Sequence, residues 1–204
     1  MIRRAKDRAN IHRHNVHTVM QLRIEKSVLE LRQGDITAQE VDAVVNAANQ
    51  HLAGGGGVDG AIHRGGGPTI MADTRRRYPA GCPTGSAVIS SAGSLAAKYV
   101  IHAVGPVWQG GRAGEAELLT SAYLRSLHLA VEHNCRSVAL PALSTGAYGY
   151  PMDQASRIAI AATMDSLTAA RQPLELVRFV LFSPGAYGAF AAALEELSQA
   201  RGLA

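Results

Sequence analysis

Two spacings of hydrophobic residues recur along the chain. Between residues 18 and 32 apolar and polar residues partly alternate, as at Leu22 and Ile24 and again at Leu29 and Leu31, which predicts two short strands. Short apolar runs bounded by glycine, proline and polar residues predict five more strands. These cover residues 43–47, 87–91, 99–104, 137–140 and 177–182.

Residues 115–133 place apolar side chains at helical spacing instead, among them Leu119, Ala122 and Tyr123. A helix with this spacing has one apolar face that can pack on a sheet. Further helices are predicted at residues 58–64, 69–77, 153–169 and 186–199. Because strands alternate with helices and several strands are continuous apolar runs, the sequence predicts a sheet covered on both faces, a three-layer α/β/α domain.

Length and composition limit the class of protein. A chain of 204 residues suits one domain that buries a core without disulfides or metals. Its two cysteines, Cys82 and Cys135, suggest neither a disulfide framework nor a metal site, which favours a reducing cytoplasm. Since there is neither a long apolar run nor a secretory signal, no membrane association is expected.

Positive charge is concentrated before Ser27, where seven Lys and Arg residues stand against two acidic ones and give a net charge of +5. Because the whole chain has a net charge of +4, the remainder carries −1. We expect residues 1–17 to be a basic extension, solvated or disordered, whose three histidines lack the partners of a metal site. A nucleic-acid-binding protein is the alternative, and its binding would weaken steeply with salt and be lost without residues 1–17. The near-neutral body and the lack of aromatic stacking platforms argue against it.

Two glycine-containing loops after strands carry the main chemical signal. Gly55, Gly57 and Gly60 match G-x-G-x-x-G, but they lie too far from the preceding strand for the tight turn of a Rossmann fold. A phosphate loop ending in Gly-Lys-Ser/Thr is absent, which disfavours kinase or NTPase activity. The glycines still let the backbone approach an anion, and a helix that begins at Val58 would turn its free N–H groups toward it.

The second loop, residues 144–149, offers successive backbone N–H groups and two aliphatic hydroxyls, which together can form an anion nest. Ligands of open α/β sheets bind beyond the carboxyl ends of the strands, so we expect the two loops to clamp one diphosphate. The alternative is that the glycines only permit tight turns.

Several longer strings, in order from about Arg32 to Leu197, resemble the MacroD-type macrodomains. The resemblance implies that residues 18–204 are a macrodomain with a mixed central sheet. It also implies an enzyme without a cofactor that binds ADP-ribose and hydrolyses ester-linked mono-ADP-ribose, from Asp or Glu of modified proteins and from O-acetyl-ADP-ribose. The alternative is a reader module that binds ADP-ribose without cleaving it. The strings are Gly34-Asp35-Ile36-Thr37, Val45-Asn46-Ala47-Ala48-Asn49, Gly55-Gly56-Gly57-Val58-Asp59-Gly60-Ala61-Ile62-His63-Arg64, Tyr99-Val100-Ile101-His102-Ala103-Val104-Gly105-Pro106 and Leu143-Ser144-Thr145-Gly146.

The resemblance implies roles for individual residues at the adenine and diphosphate. Asp35 would accept a hydrogen bond from the adenine amino group beside the Ile36 backbone, and Phe182 would stack on the ring. The alternatives are a turn or cap residue for Asp35 and a core aromatic for Phe182. The implied diphosphate-binding residues are Gly55, Gly56, Gly57, Val58, Ser144, Thr145, Gly146, Ala147 and Tyr148.

At the distal ribose the resemblance implies Asn46 as a binding residue and Asn49, Asp59 and His63 as catalytic residues. On a helix Asp59 and His63 lie on one face at i and i+4, so the imidazole can orient the carboxylate or its water. The alternatives are a helix-terminal charge and a structural histidine. Two questions stay open. Water can be activated by Asp59 or by a substrate phosphate, and the attack can take place at C1″ or at an acyl carbon. His102 lies in an apolar strand and is predicted to be a core residue outside the site.

Overall fold

The computed structural model describes residues 12–14, 19–169 and 174–203. A short 3₁₀ helix, Ile36–Ala38, is added to the predicted elements, and the five predicted helices agree with the structure to within two residues at either end. The strands are β1 (His12–His14), β2 (Val19–Ile24), β3 (Ser27–Gln33), β4 (Ala43–Ala47), β5 (Ala87–Ser91), β6 (Tyr99–Ala103), β7 (Ser137–Leu140) and β8 (Leu176–Leu181), and the helices are α1 (Gly57–Gly66), α2 (Pro68–Arg77), α3 (Glu115–Glu132), α4 (Met152–Ala169) and α5 (Pro184–Ala200).

The strands form one mixed sheet in the order β1-β2-β3-β8-β7-β4-β6-β5. Its central strands β3, β8, β7, β4 and β6 are parallel, and antiparallel pairs complete both edges. Helices α3, α4 and α5 cover one face, and α1 and α2 cover the other. The predicted three-layer α/β/α arrangement with a mixed sheet is therefore confirmed.

The predicted N-terminal extension is partly described. Residues 12–14 pair with β2 as an antiparallel edge strand, which the sequence did not predict because three residues are too few for an alternation to show. The rest of that extension, residues 1–11 and 15–17, lies outside the described residues.

Alternating strand residues supply two cores. On β4, Val45 joins the cluster under α3, α4 and α5, whereas Val44 joins the cluster under α1 and α2. On β7, Val138 and Ala139 divide in the same way. Successive side chains of a strand point to opposite faces, so these short apolar runs need helices on both sides of the sheet.

Glycine sets the junction between α1 and α2. Gly67 has φ +79° and ends α1, and Pro68 begins α2 at a position where its missing N–H removes no helical hydrogen bond. Gly66 is buried, and a Cβ there would lie 2.9 Å from the carbonyl oxygen of Ala92. The pair of helices thereby packs closely on the turn after β5 and holds the start of α1 beside the carboxyl end of β4.

Candidate active site

The predicted ligand-binding residues meet at one edge of the sheet. Because β3, β8, β7, β4 and β6 are parallel, their carboxyl ends all lie at that edge. Asp35 follows β3, Phe182 follows β8, and residues 141–150 follow β7. The glycine loop that leads into α1 follows β4. The topology brings these separate segments into a single region.

Asp59 lies in the first turn of α1 with only 5% of its surface exposed. Its Oδ1 accepts a hydrogen bond of 2.6 Å from Nδ2 of Asn46 and lies 3.3 Å from Nε2 of His63. The i, i+4 arrangement of Asp59 and His63 on one helix is the one that their spacing predicts. The structure therefore places a buried carboxylate, an amide and an imidazole together.

The glycine loop folds over this first turn. A Cβ on Gly55 would lie 3.1 Å from Oδ2 of Asp59, and a Cβ on Gly60 would lie 2.6 Å from the carbonyl oxygen of Gly55. Gly56 caps α1 without a side-chain hydrogen bond, so the helix N–H groups are not covered by a capping side chain. This loop can bring its backbone close to an anion beside the carboxylate.

His102 was predicted to be a core residue, and the structure confirms that it is 1% exposed. It also contacts the site, since its Nδ1 lies 3.2 Å from Nδ2 of Asn46 and its Nε2 lies 2.8 Å from Oγ of Ser90. Burial, and then the charge of His63, lower the pKa of His102 to about 3. The sequence offered no signal for this contact, because it depends on the β4–β6 register that pairs Asn46 with His102.

Three buried polar atoms near the site have no hydrogen-bond partner among the described residues. They are Oδ1 of Asn46, Nδ1 of His63 and Oγ of Ser144. Buried polar groups are normally paired, so each of these atoms is suited to a bound ligand or water. Two of the three belong to side chains that contact Asp59.

Asn49 shapes its own loop. Its Nδ2 donates to the carbonyl oxygen of Gly54 at 2.8 Å, and its Oδ1 accepts from the backbone N–H groups of His51 and Ala53. The Asn49 amide is thus engaged with backbone, and the structure shows no hydrogen bond from it to Asp59. A direct role of Asn49 in catalysis stays a prediction.

Asp35 and Phe182 lie at the opposite end of the region. Oδ1 of Asp35 accepts hydrogen bonds from the backbone N–H and the hydroxyl of Thr37, so Asp35 caps the 3₁₀ helix. These bonds leave Oδ2 unused by the cap. The Phe182 side chain is 84% exposed, which excludes the core-aromatic alternative and leaves its face open to a ring. Ile36 itself is buried.

The second loop is held from beneath by α3. The hydroxyl of Tyr123 donates to the carbonyl oxygen of Pro141 at 3.0 Å and accepts from the N–H of Leu143 at 2.9 Å. Ser144 follows with φ +66°, an uncommon conformation for a residue with a side chain. The hydroxyl of Thr145 donates back to Ala142, and the exposed residues of this loop are Gly146, Ala147 and Gly149.

A cleft of about 380 Å³ is lined by Asn49, which follows β4, and by Tyr148 of the second loop. Glu115, the first residue of α3, closes it below and is 2% exposed. Burial would raise the pKa of Glu115, but backbone N–H groups, including those of Gln109, Ala113 and Gly111, bond to its carboxylate and hold the pKa below its usual value. Sequence reasoning missed Glu115, because an acidic residue in a first helical turn is common. The remaining lining residues are Gln50, His51, Thr84, Gly105, Pro106, Val107, Gln109, Ala113 and Leu118.

Among the residues that the structure describes, no group of three His, Cys, Asp or Glu side chains is arranged to hold a metal ion, and no helix is long and apolar enough to cross a bilayer. Cys82 and Cys135 are both buried and free, and burial raises the pKa of Cys135 to about 11.

Comparison with known proteins gives a consistent result. The family model of the Macro domain matches residues 45–159. Over 176 residues the chain is 53% identical to a macro domain-containing protein of Caldanaerobacter subterraneus subsp. tengcongensis, which covers 85% of this chain and 99% of that protein. Over 155 residues it is 52% identical to an O-acetyl-ADP-ribose deacetylase of Klebsiella pneumoniae, which covers 75% of this chain and 88% of that enzyme. The solved structure of an Oceanobacillus iheyensis macrodomain with ADP superimposes with a TM-score of 0.85 at 35% identity, over 91% of this chain and all of that one.

Proposed function

This chain belongs to the Macro domain family, and from that premise we propose that it binds ADP-ribose and hydrolyses its esters. The substrates would be mono-ADP-ribose on Asp or Glu side chains of modified proteins, and O-acetyl-ADP-ribose. A relative that is 52% identical carries the name of an O-acetyl-ADP-ribose deacetylase, which supports the ester as the bond that is cleaved. The two buried, free thiols suit the reducing cytoplasm that we propose as its location.

One observation carries the proposal. Asp59 is a buried carboxylate in the first turn of α1, next to the glycine loop, and it contacts Asn46 and His63. No side chain caps the N-terminus of this helix. Burial of a carboxylate is costly unless it is paired, and an amide and an imidazole are weak compensation for a purely structural residue. A group held in this way beside an anion-binding backbone is suited to act on a ligand.

The residues at the sheet edge fit the parts of ADP-ribose in order. Phe182 and Asp35 offer an exposed aromatic face and a carboxylate for the adenine. The glycine loop and the second loop offer backbone N–H groups for the diphosphate. Asn46, with an unpartnered buried Oδ1, can accept a hydrogen bond from a hydroxyl of the distal ribose.

Hydrolysis would use water in one of two ways. In attack at the acyl carbon, water adds to the ester carbonyl, the bond to the ribose oxygen breaks, and that oxygen leaves with a proton. In attack at C1″, which is open only to esters at that carbon, the C1″–oxygen bond breaks and the acid leaves as a carboxylate. Either Asp59 or a substrate phosphate would take the proton of the attacking water.

The direct test incubates the protein, without added metal, with a glutamate-linked mono-ADP-ribosylated protein and with O-acetyl-ADP-ribose. Chromatography then measures release of free ADP-ribose. We expect wild type to release it and Asp59→Ala to release none while still binding ADP-ribose in calorimetry. Asp165→Ala is the matched control, because Asp165 is an exposed carboxylate on α4 whose pairing with Arg201 contributes little.

Asp35 tests the binding part of the proposal. Asp35→Ala removes a charged acceptor, so we expect ADP-ribose affinity to fall about tenfold or more. Asp35→Asn keeps an oxygen that can cap Thr37, and it separates loss of charge from loss of the cap.

Equal release by Asp59→Ala and wild type would contradict the catalytic assignment. No release by wild type, with ADP-ribose binding intact, would identify a reader module instead.

A further inference from the structure

A chain of four hydrogen bonds runs across three strands to the buried carboxylate. Oγ of Ser90 on β5 donates to the carbonyl oxygen of Ser91 at 3.0 Å and lies 2.8 Å from Nε2 of His102 on β6. Nδ1 of His102 lies 3.2 Å from Nδ2 of Asn46 on β4, and the same Nδ2 donates to Oδ1 of Asp59 at 2.6 Å. Ser90, His102 and Asn46 are each at most 1% exposed, so water does not compete along the chain.

The hydrogen bond that Asn46 donates to Asp59 fixes the direction of every other bond. The amide atom of Asn46 that lies 2.6 Å from the carboxylate must be the nitrogen, since an oxygen there would repel Oδ1. That nitrogen carries hydrogens only, so Nδ1 of His102 must accept and the ring proton must lie on Nε2. Oγ of Ser90 then accepts from Nε2 and gives its own hydrogen to Ser91.

The state of the imidazole agrees with this direction. His102 is buried under α1 and α2, and its ring centroid lies 6.1 Å from that of His63. Burial and the nearness of a second imidazole both disfavour a second proton on the His102 ring. Its pKa, lowered to about 3, keeps the ring neutral throughout the physiological range. A neutral ring has one donor and one acceptor, as the chain requires.

We propose that Ser90 and His102 are positioning residues that orient Asn46 and hold Asp59 with Oδ2 as its reactive oxygen. Oδ1 accepts from Asn46 and lies beside Nε2 of His63, whereas Oδ2 lies beside Gly55 in the proposed diphosphate loop. In this proposal Ser90 and His102 act on the carboxylate only through Asn46. The same orientation leaves Oδ1 of Asn46 as a buried acceptor for a ligand hydroxyl.

The hydrogen-bond assignment is independent of turnover, whereas its effect on rate rests on the proposed hydrolysis. Nitrogen-15 NMR of the histidine-labelled full chain distinguishes protonated from unprotonated ring nitrogens, and loss of one signal pair in His102→Phe identifies His102. We expect a single neutral form with the proton on Nε2 from about pH 5 to pH 8. A proton on Nδ1 would reverse every donor in the chain and place a proton on Asp59, which would overturn the proposal. Titration of the ring within this range would also overturn it.

Kinetics tests the positioning role. His102→Phe keeps a ring but breaks both bonds, and displacement of a catalytic group by up to 1 Å costs about ten- to a hundredfold in rate. We therefore expect kcat to fall by about tenfold or more, and the ADP-ribose Kd to rise by a clearly smaller factor, because Asn46 still donates to Asp59. His102→Asn can place its amide oxygen near the position of Nδ1 and should partly restore kcat.

Ser90→Ala keeps the proposal testable if His102→Phe folds poorly. It removes only the far bond of the chain, so a smaller fall in kcat is expected. Ser126→Ala is the matched control, because Ser126 is equally buried but its hydroxyl bonds to Ala122 within α3. An unchanged kcat in folded His102→Phe, or equal kcat values for Ser90→Ala and Ser126→Ala, would overturn the positioning role. If wild type shows no turnover, the proposed function fails and the NMR result alone decides the assignment.

Discussion

Gly60 provides a sharp test of the geometry around the glycine loop. Replacement of glycine by alanine inside a helix normally stabilises it by about 1 kcal/mol. At Gly60 the new Cβ would lie 2.6 Å from the carbonyl oxygen of Gly55, a backbone atom that cannot rotate away. The contact must lengthen by about 0.8 Å to reach the 3.4 Å at which ordinary contacts begin, so the loop must move.

The magnitude follows from two opposing effects. Overpacking of a tight site costs about 1–3 kcal/mol, which cancels or exceeds the helical gain, so we expect Gly60→Ala to be neutral or destabilised by up to about 2 kcal/mol. Gly65→Ala is the matched control in the same helix. Its Cβ would meet the flexible end of Leu95 at 3.0 Å and should keep most of the gain. The two variants should therefore differ by roughly 2 kcal/mol, or about 4–8 °C in Tm for a chain of this size.

Urea unfolding measures the two free energies, and calorimetry measures ADP-ribose binding. Because the displaced carbonyl belongs to the proposed diphosphate loop, Gly60→Ala should weaken ADP-ribose binding about tenfold or more, whereas Gly65→Ala should bind like wild type. Equal stability and equal binding of the two variants would refute the close approach of α1 to its loop. A stability difference without any binding by wild type would leave the geometry intact and refute the ligand.

Two further predictions concern stability. Tyr123→Phe removes the two hydrogen bonds that hold the second loop, and at about 1 kcal/mol each it should lower the free energy of unfolding by about 2 kcal/mol. Tyr99 is half-buried and its hydroxyl makes no hydrogen bond among the described residues, so Tyr99→Phe should change the free energy of unfolding by less than about 0.5 kcal/mol, and equal losses in the two variants would contradict the assignment. Burial would raise the pKa of Asp42, but hydrogen bonds from Lys98 and two backbone N–H groups hold it below its usual value. Its stabilisation is thus present above the ordinary pKa of an Asp side chain, about pH 4, and is lost as pH falls through the folded-state pKa, so urea midpoints of wild type and Asp42→Asn should converge as pH falls below that pKa; a constant gap would refute this.

Most elements could be predicted because their signal is local. A helix is recognised by apolar residues three or four positions apart, as in residues 115–133, and a buried strand by a short apolar run, as in residues 43–47 and 137–140. Both patterns involve only residues that are close in the sequence. The same locality accounts for Asp59 and His63, whose spacing on one helix places them on one face. The edge strand His12–His14 carried too few residues to show a pattern.

Other features of the site depend on distant parts of the chain. Whether Phe182 is core or surface could not be decided from an apolar residue at a strand end, and only the packed structure shows it exposed. Asn49 offered the same amide chemistry as Asn46, yet the fold engages Asn49 with its own loop and turns Asn46 toward Asp59. Donor and acceptor groups in a sequence do not state which partner lies closest.

By itself the sequence determined the succession of strands and helices, the position of the two glycine-containing loops and the resemblance to macrodomains, because periodicity, glycine content and motif order are properties of consecutive residues. Only the tertiary structure decided the partners of the buried groups. Asn46 meets His102 through the register of two parallel strands that are 56 residues apart, and Tyr123 meets Leu143 through the packing of α3 on the sheet. Such contacts form when long stretches of chain are brought together by burial of apolar surface, and no local pattern encodes them.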